Sequence, residues 1–148
     1  MSTYMVYVIH KDSSRDERVP LCRVQYDVDV SSNDFFLTND NYILQILNVE
    51  PETANMVGAI DVLGHRRSNQ ETIALLFYSR GHHDQMQGNI RCDITPTLSA
   101  GRKLLTSWGS KFCITNVFVE EHNQVSVVLK DGIVPSNRWG ATNAVRSL

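Results

Sequence analysis

The sequence contains no Cys-x-x-Cys pair, no glycine-rich phosphate loop and no apolar run long enough to cross a bilayer. Each absence removes a class of function. The three cysteines, Cys22, Cys92 and Cys113, are odd in number and far apart, which argues against a disulfide framework or a structural zinc site. Buried thiols in a reducing compartment are the simpler reading, so the protein is expected to be intracellular and made outside the secretory pathway. A spanning helix needs roughly 18 to 20 apolar residues in succession, and none is present. The N-terminal stretch MSTYMVYVIHKD has no basic region ahead of its apolar run and reads as a first strand rather than a signal peptide. GxGxxG and GxxxxGK[ST] are missing, which leaves no recognisable nucleotide cradle. GxSxG is missing too, so no nucleophile elbow is visible.

What is present is a chain of 148 residues, 42% hydrophobic and 20% charged. That profile fits one globular domain, residues 1–148, rather than a disordered tail. Charge is uneven along it. Residues 1–64 hold 4 basic and 10 acidic residues, whereas residues 65–111 hold 7 basic and 3 acidic. Such asymmetry suits a nucleic-acid or anionic-lipid face, a head-to-tail contact between subunits, or simply an uneven solvated surface.

Hydrophobic periodicity predicts strands first. In PLCRVQYDVDV, Cys22, Val24, Tyr26, Val28 and Val30 alternate with Arg23, Gln25, Asp27 and Asp29, which puts one face inside and one in water. Residues 40–49 fit either a short helix or a buried strand, because a short apolar run does not fix its own period. MVGAIDVLG and TIALLFYS flank HRRSNQE and predict two antiparallel strands with a basic tip. RGHHDQMQGN reads as a polar loop. After a short strand at Ile90–Ile94, Thr95 and Pro96 form a cap and first turn. Leu98, Gly101, Leu104, Leu105 and Trp108 then share one face of an amphipathic helix that Gly109 stops. KFCITNVFV and QVSVVLK predict a hairpin, and no internal repeat is visible. The expected fold class is α+β: a mainly antiparallel sheet or sandwich with one or two packed amphipathic helices.

Candidate chemistry is sparse. His82 and His83 are adjacent but lack metal-ligand spacing, and His10, His65 and His122 are scattered; a solvated loop pair is the plain reading. Cys92 and Cys113 sit at inward positions of strand patterns, where an inert thiol is the default. No catalytic residue, metal or cofactor is therefore expected, and the protein reads as a non-enzyme. The basic residues Arg66, Arg67, Arg80, Arg91, Arg102, Lys103 and Lys111 are the candidates for binding lipid or RNA phosphate. Such binding needs only convergent cations and tolerates irregular spacing. Phe77, Tyr78 and Trp108 read as core, which leaves little aromatic surface for stacking bases.

Beside these residues stands a family likeness. An Ile-Asp-Val strand ending in Gly-His (Ile60, Asp61, Val62, Gly64, His65), a second apolar strand TIALLFY, and the strand-helix-strand pattern from Gly88 to Val119 resemble the matrix proteins of non-segmented negative-strand RNA viruses. The small bornavirus type is the closest in pattern, and the rhabdovirus type has a comparable element order. The resemblance implies homo-oligomerisation, peripheral binding to an anionic membrane surface at the inner face of the virion envelope, contact with viral ribonucleoprotein or RNA, and residence in the host cytoplasm. The chain lacks Pro-Pro-x-Tyr and Pro-Thr/Ser-Ala-Pro, so recruitment of host budding factors is not implied. Two other readings remain: a small intracellular RNA-binding or adaptor protein without a membrane role, and a small-ligand-binding domain or enzyme.

Overall fold

The structure, a computed structural model, describes residues 1–10, 17–40, 42–64, 71–79, 83–91, 98–119, 124–132 and 146–147. Within them the chain forms eleven strands: β1 (Ser2–His10), β2 (Glu17–Tyr26), β3 (Phe35–Leu37), β4 (Ile43–Glu50), β5 (Gly58–Leu63), β6 (Glu71–Ser79), β7 (His83–Arg91), β8 (Lys103–Thr106), β9 (Lys111–Val119), β10 (Gln124–Lys130) and β11 (Arg146–Ser147). They join in a single sheet of order β11-β7-β6-β10-β9-β8-β3-β4-β5-β1-β2. The sheet is mixed, with parallel pairs β1–β5, β3–β8 and β6–β10.

No helix occurs among the described residues, so the α+β expectation is corrected to all-β. The proposed helix is replaced, from Leu98 onward, by a turn, strand β8 and a second turn. Leu104 and Leu105 are both fully buried, but in different cores. A strand covered on both faces loses its period of two and imitates a helical face. Gly101 and Gly109 have φ of 89° and 87°; they are turn residues in the left-handed region that disfavours side chains. One open choice is settled and two other expectations change. Residues 43–50 are strand β4, and the polar loop around His83 is strand β7, paired with β6 along its length. The strands on either side of HRRSNQE do not pair with each other. The hairpin of KFCITNVFV and QVSVVLK is present as β9–β10.

The sheet also contains a repeat that the sequence concealed. In the first half, β1 pairs with β2 and β5, β5 with β4, and β4 with β3. In the second half β6 pairs with β7 and β10, β10 with β9, and β9 with β8, with the same senses. Local details recur with a displacement of 68 positions. Thr38 N donates to Tyr42 O and Tyr42 N returns a bond to Thr38 Oγ1, each 2.9 Å. Thr106 and Ser110 make the same two bonds, each 2.9 Å. Ile46 N donates to Asp34 O, and Ile114 N to Arg102 O. The β4–β5 register slips between Ile46 and Asn48, and the β9–β10 register slips between Ile114 and Asn116, so Leu47 and Thr115 are equivalent bulge residues.

Equivalent strands β3 and β8 lie side by side and parallel, and strand order reverses across them. The halves are therefore related by an approximate two-fold axis running along the strands. Such a rotation turns the sheet over, so each half keeps its core on the opposite face. Tyr4, Val6, Val24, Tyr26, Leu44, Ile46, Ile60 and Val62 line the N-terminal core with Phe36 and Leu105. Ala74, Leu76, Leu98, Phe112, Ile114, Val125, Val127 and Leu129 line the C-terminal core with Phe35, Leu37, Ile43 and Leu104. Each large side chain fully withdrawn from water contributes about 1.5–3 kcal/mol.

At the axis the repeat has diverged. Asp34 corresponds to Arg102. The Asp34 carboxylate accepts Ser31 N at 2.9 Å and Lys103 N at 3.2 Å, and it pairs with Lys103 Nζ at 3.3 Å. Arg102 Nη1 donates to Asn33 O at 3.0 Å. The Asp34 side chain is only 5% exposed, so its truncation strands donors that water reaches poorly. Replacing Asp34 by Ala should lower stability in urea unfolding by about 2–3 kcal/mol; a loss below about 0.5 kcal/mol, the range of an ordinary surface change, would show that the two halves do not depend on this joint.

Tyr26 makes a further cross-half bond, donating from its hydroxyl to Thr106 O at 2.6 Å. Burial, and next the nearby Cys22 thiol, push its phenol well above the ordinary range. Below the usual phenol value of about 10 both folded and unfolded chains hold the proton, and the shift has no effect on stability. Above it the unfolded chain ionises first, so stability falls as pH rises. The urea midpoint should drop between about pH 9.5 and 11, and Tyr26→Phe should flatten that drop while costing about 1 kcal/mol at neutral pH; equal alkaline slopes in both proteins would refute the assignment.

Candidate functional site

The basic residues separate once the strands are placed. Arg66, Arg67 and Arg80 lie outside the described residues, as do Cys92, His65, His82 and His122. The backbone of Arg91 closes β7, opposite Glu71 and four strands away from β8. Arg102 and Lys103 open β8, while Lys111 opens β9 opposite Leu105, at the other end of that short ladder. Two of these cations are already engaged by the fold. Lys103 pairs with Asp34, and Arg102 reaches Asn33 O and Ser99 Oγ. The bonds to Asp34 and Asn33 tie the two halves together, so the charge of Arg102 and Lys103 has a structural use before any external one.

Sequence reasoning missed a cavity. Where the exposed half of β2 passes the β3–β4 turn, a cavity of about 470 Å³ opens, lined by Val8, His10, Val19, Pro20, Leu21, Cys22, Thr38, Asn39, Asp40, Tyr42, Leu44 and Ser107. Its volume falls within the range of about 300–1,000 Å³ typical of small-molecule sites. The lining surface is mainly apolar, and Asn39 and Asp40 are exposed beside it. Local structure explains the shape. The register slip between Val6 and Tyr7 makes Leu21 a bulge residue of β2 beside Pro20, and the Thr38–Tyr42 bonds fix the turn on the other side. Thr38 Oγ1 donates to Asp40 Oδ1, which holds that carboxylate at the mouth. Gly64 packs so closely on His10 that a Cβ there would fall 2.8 Å from Nδ1, fixing the far rim.

Cys22 is half-buried in the cavity wall, and burial pushes its thiol pKa up. It is a poor nucleophile at neutral pH. Among the described residues, no group of three or more His, Cys, Asp or Glu side chains could share a metal ion. The arrangement can bind by apolar contact and one carboxylate, and among the described residues no bond pairs Cys22 with a base. No single stretch of sequence encodes this place. It is assembled from β1, β2 and the β3–β4 turn, and Asp40 and Tyr42 carry no motif.

Comparison with known proteins adds nothing to this geometry: no protein-family model matches the chain, and no curated protein sequence matches it.

Proposed function

We propose that the protein is a self-assembling structural protein of the viral matrix kind, which forms homo-oligomers, attaches peripherally to an anionic membrane surface and contacts ribonucleoprotein. The observation that carries this reading is a pair of apolar protrusions. Met56 and Val57 precede β5 and are 72% and 39% exposed; Phe118 and Val119 end β9 at 50% and 74%. Because β3 and β8 are parallel, β4 and β9 run the same way and leave the sheet at the same end. Single exposed apolar residues are ordinary, but two sets at corresponding ends of a repeat suit a contact surface.

Charge supports a division of partners between two surfaces. Glu50 and Glu52 are exposed beside Met56 and Val57, and carboxylates are repelled by an anionic bilayer. The apolar end is therefore given to contact between subunits, and membrane or RNA phosphate to the cations of residues 65–111. Weak contacts of each kind gain avidity by repetition through the assembly.

Sedimentation velocity across a concentration series, combined with flotation on neutral and anionic vesicles, tests both parts. Wild-type protein should self-associate and float with anionic vesicles in a salt-sensitive way. Phe118→Glu should weaken association at least tenfold (about 1.4 kcal/mol) with an unchanged melting temperature. Arg66→Glu with Arg67→Glu should release the vesicles without touching the Asp34–Lys103 joint. A monomer at every concentration that ignores both vesicle types would end this reading.

A further inference from the structure

The two halves differ at one pair of positions in a way that points to a ligand. Leu44, under the cavity, corresponds to Phe112, and Asp40, at its mouth, corresponds to Trp108. In the second half the indole of Trp108 stands edge-on to the Phe112 ring, with centroids 6.5 Å apart and planes at 75°. Trp108 packs against the C-terminal core. The same turn in the first half, held by the equivalent Thr–backbone bonds, carries a carboxylate over a smaller leucine. The framework that seats an indole in one half is thus left open in the other, with a negative charge where the ring would attach.

We propose that this cavity is a binding site for a small aromatic cation: a planar ring of about indole size, bearing a protonated amine on a short linker. The ring enters between Val19, Leu21 and Leu44, with the Tyr42 ring beside it, and its amine meets Asp40. Three properties of the site select that class. The mainly apolar lining accepts a ring. Among the described residues that line the cavity, Asp40 is the only carboxylate, so charge complementarity favours a cation over an anion. Thr38 holds one Asp40 oxygen from within the turn, so the carboxylate is already oriented before a ligand arrives, which reduces the ordering cost of binding. This site is independent of the assembly surface at Met56 and Phe118.

Isothermal titration of the full chain with three probes tests the proposal: tryptamine, indole-3-propionate (the same ring with opposite charge) and methylamine (the charge without the ring). Tryptamine should bind with a Kd on the order of 0.1 mM, as ligand efficiency allows for its size. The other two should bind at least tenfold more weakly. Asp40→Asn, a change of one exposed group, should weaken tryptamine about tenfold. The double variant Asp40→Trp with Leu44→Phe copies the second half and should abolish binding. Because that variant changes packing, a second readout uses wild-type protein alone: tryptamine should slow the reaction of Cys22, in the cavity wall, with a thiol reagent, while methylamine should not. Equal binding of tryptamine and indole-3-propionate, tryptamine affinity unchanged in Asp40→Asn, or no protection of Cys22 at saturating tryptamine would each overturn the proposal.

Discussion

Strands β3 and β8 pair in parallel at the centre of the sheet over three residues each, and nearly everything else depends on that short contact. Phe36 and Leu105 face the N-terminal core from this pair, while Phe35, Leu37 and Leu104 face the C-terminal core. Because neither face of the pair meets water, each core borrows residues from the other half. A five-strand half alone would expose one side of its β3 or β8, with apolar side chains meant for the neighbouring core. The halves are thus interdependent although their topologies are complete. The Asp34–Lys103 pair and the Tyr26–Thr106 bond act on the same seam and fix its register, where apolar contacts alone would permit sliding.

The repeat accounts for features that otherwise look unrelated. Equivalent bulges at Leu47 and Thr115 bend β4 and β9 at the same height, which lets each half curl around its own core. Identical Thr-based turns close both β3–β4 and β8–β9. Where the halves touch, their residues have become complementary instead of alike: Asp34 pairs with Lys103, whose counterpart is Phe35, and Arg102, the counterpart of Asp34, reaches Asn33 O. Divergence at an axis is what a fused pair can do and a homodimer of one sequence cannot. Asp40 and Trp108 extend the same logic to the turns, where one half closes its core with an indole and the other leaves space.

How much of this was legible depended on what covers each strand. The alternation at Cys22, Val24 and Tyr26 revealed β2 because one of its faces is wet, and the β9–β10 hairpin was legible for the same reason. Strand β8 was not: Leu104 and Leu105 are both buried, and with Leu98 and Trp108 they satisfy a helical template that no longer has a competing period of two. Gly101 inside that supposed helix was the available warning, since glycine there costs about 1 kcal/mol relative to alanine. The repeat was hidden because few identities survive along it, chiefly Ser31 with Ser99, Leu37 and Thr38 with Leu105 and Thr106, Ile46 with Ile114, and Asn48 and Val49 with Asn116 and Val117. What was retained is backbone geometry, which tolerates many side chains. The cavity was illegible for a different reason: its walls come from three separated segments, and its defining property is a side chain that is smaller than its counterpart.

Taken with the seam, that smaller side chain separates two kinds of need. Filling a void with an aromatic pair is the cheaper route to stability, since unfilled apolar space forfeits dispersion contacts along its lining. The C-terminal core takes that route with Trp108 and Phe112, and Gly132 lies so close to Phe112 that even a Cβ would collide with the ring at 2.1 Å. The N-terminal half keeps a cavity at the same place and puts a charge at its mouth, although the turn beneath it could hold the larger residue. An open site beside a turn whose counterpart carries an indole packed on its own core fits the proposed occupant. The exposed residues Met56, Val57, Phe118 and Val119 do not line this opening. The cavity and the apolar end are therefore separate properties of one duplicated scaffold, each free to be lost without the other.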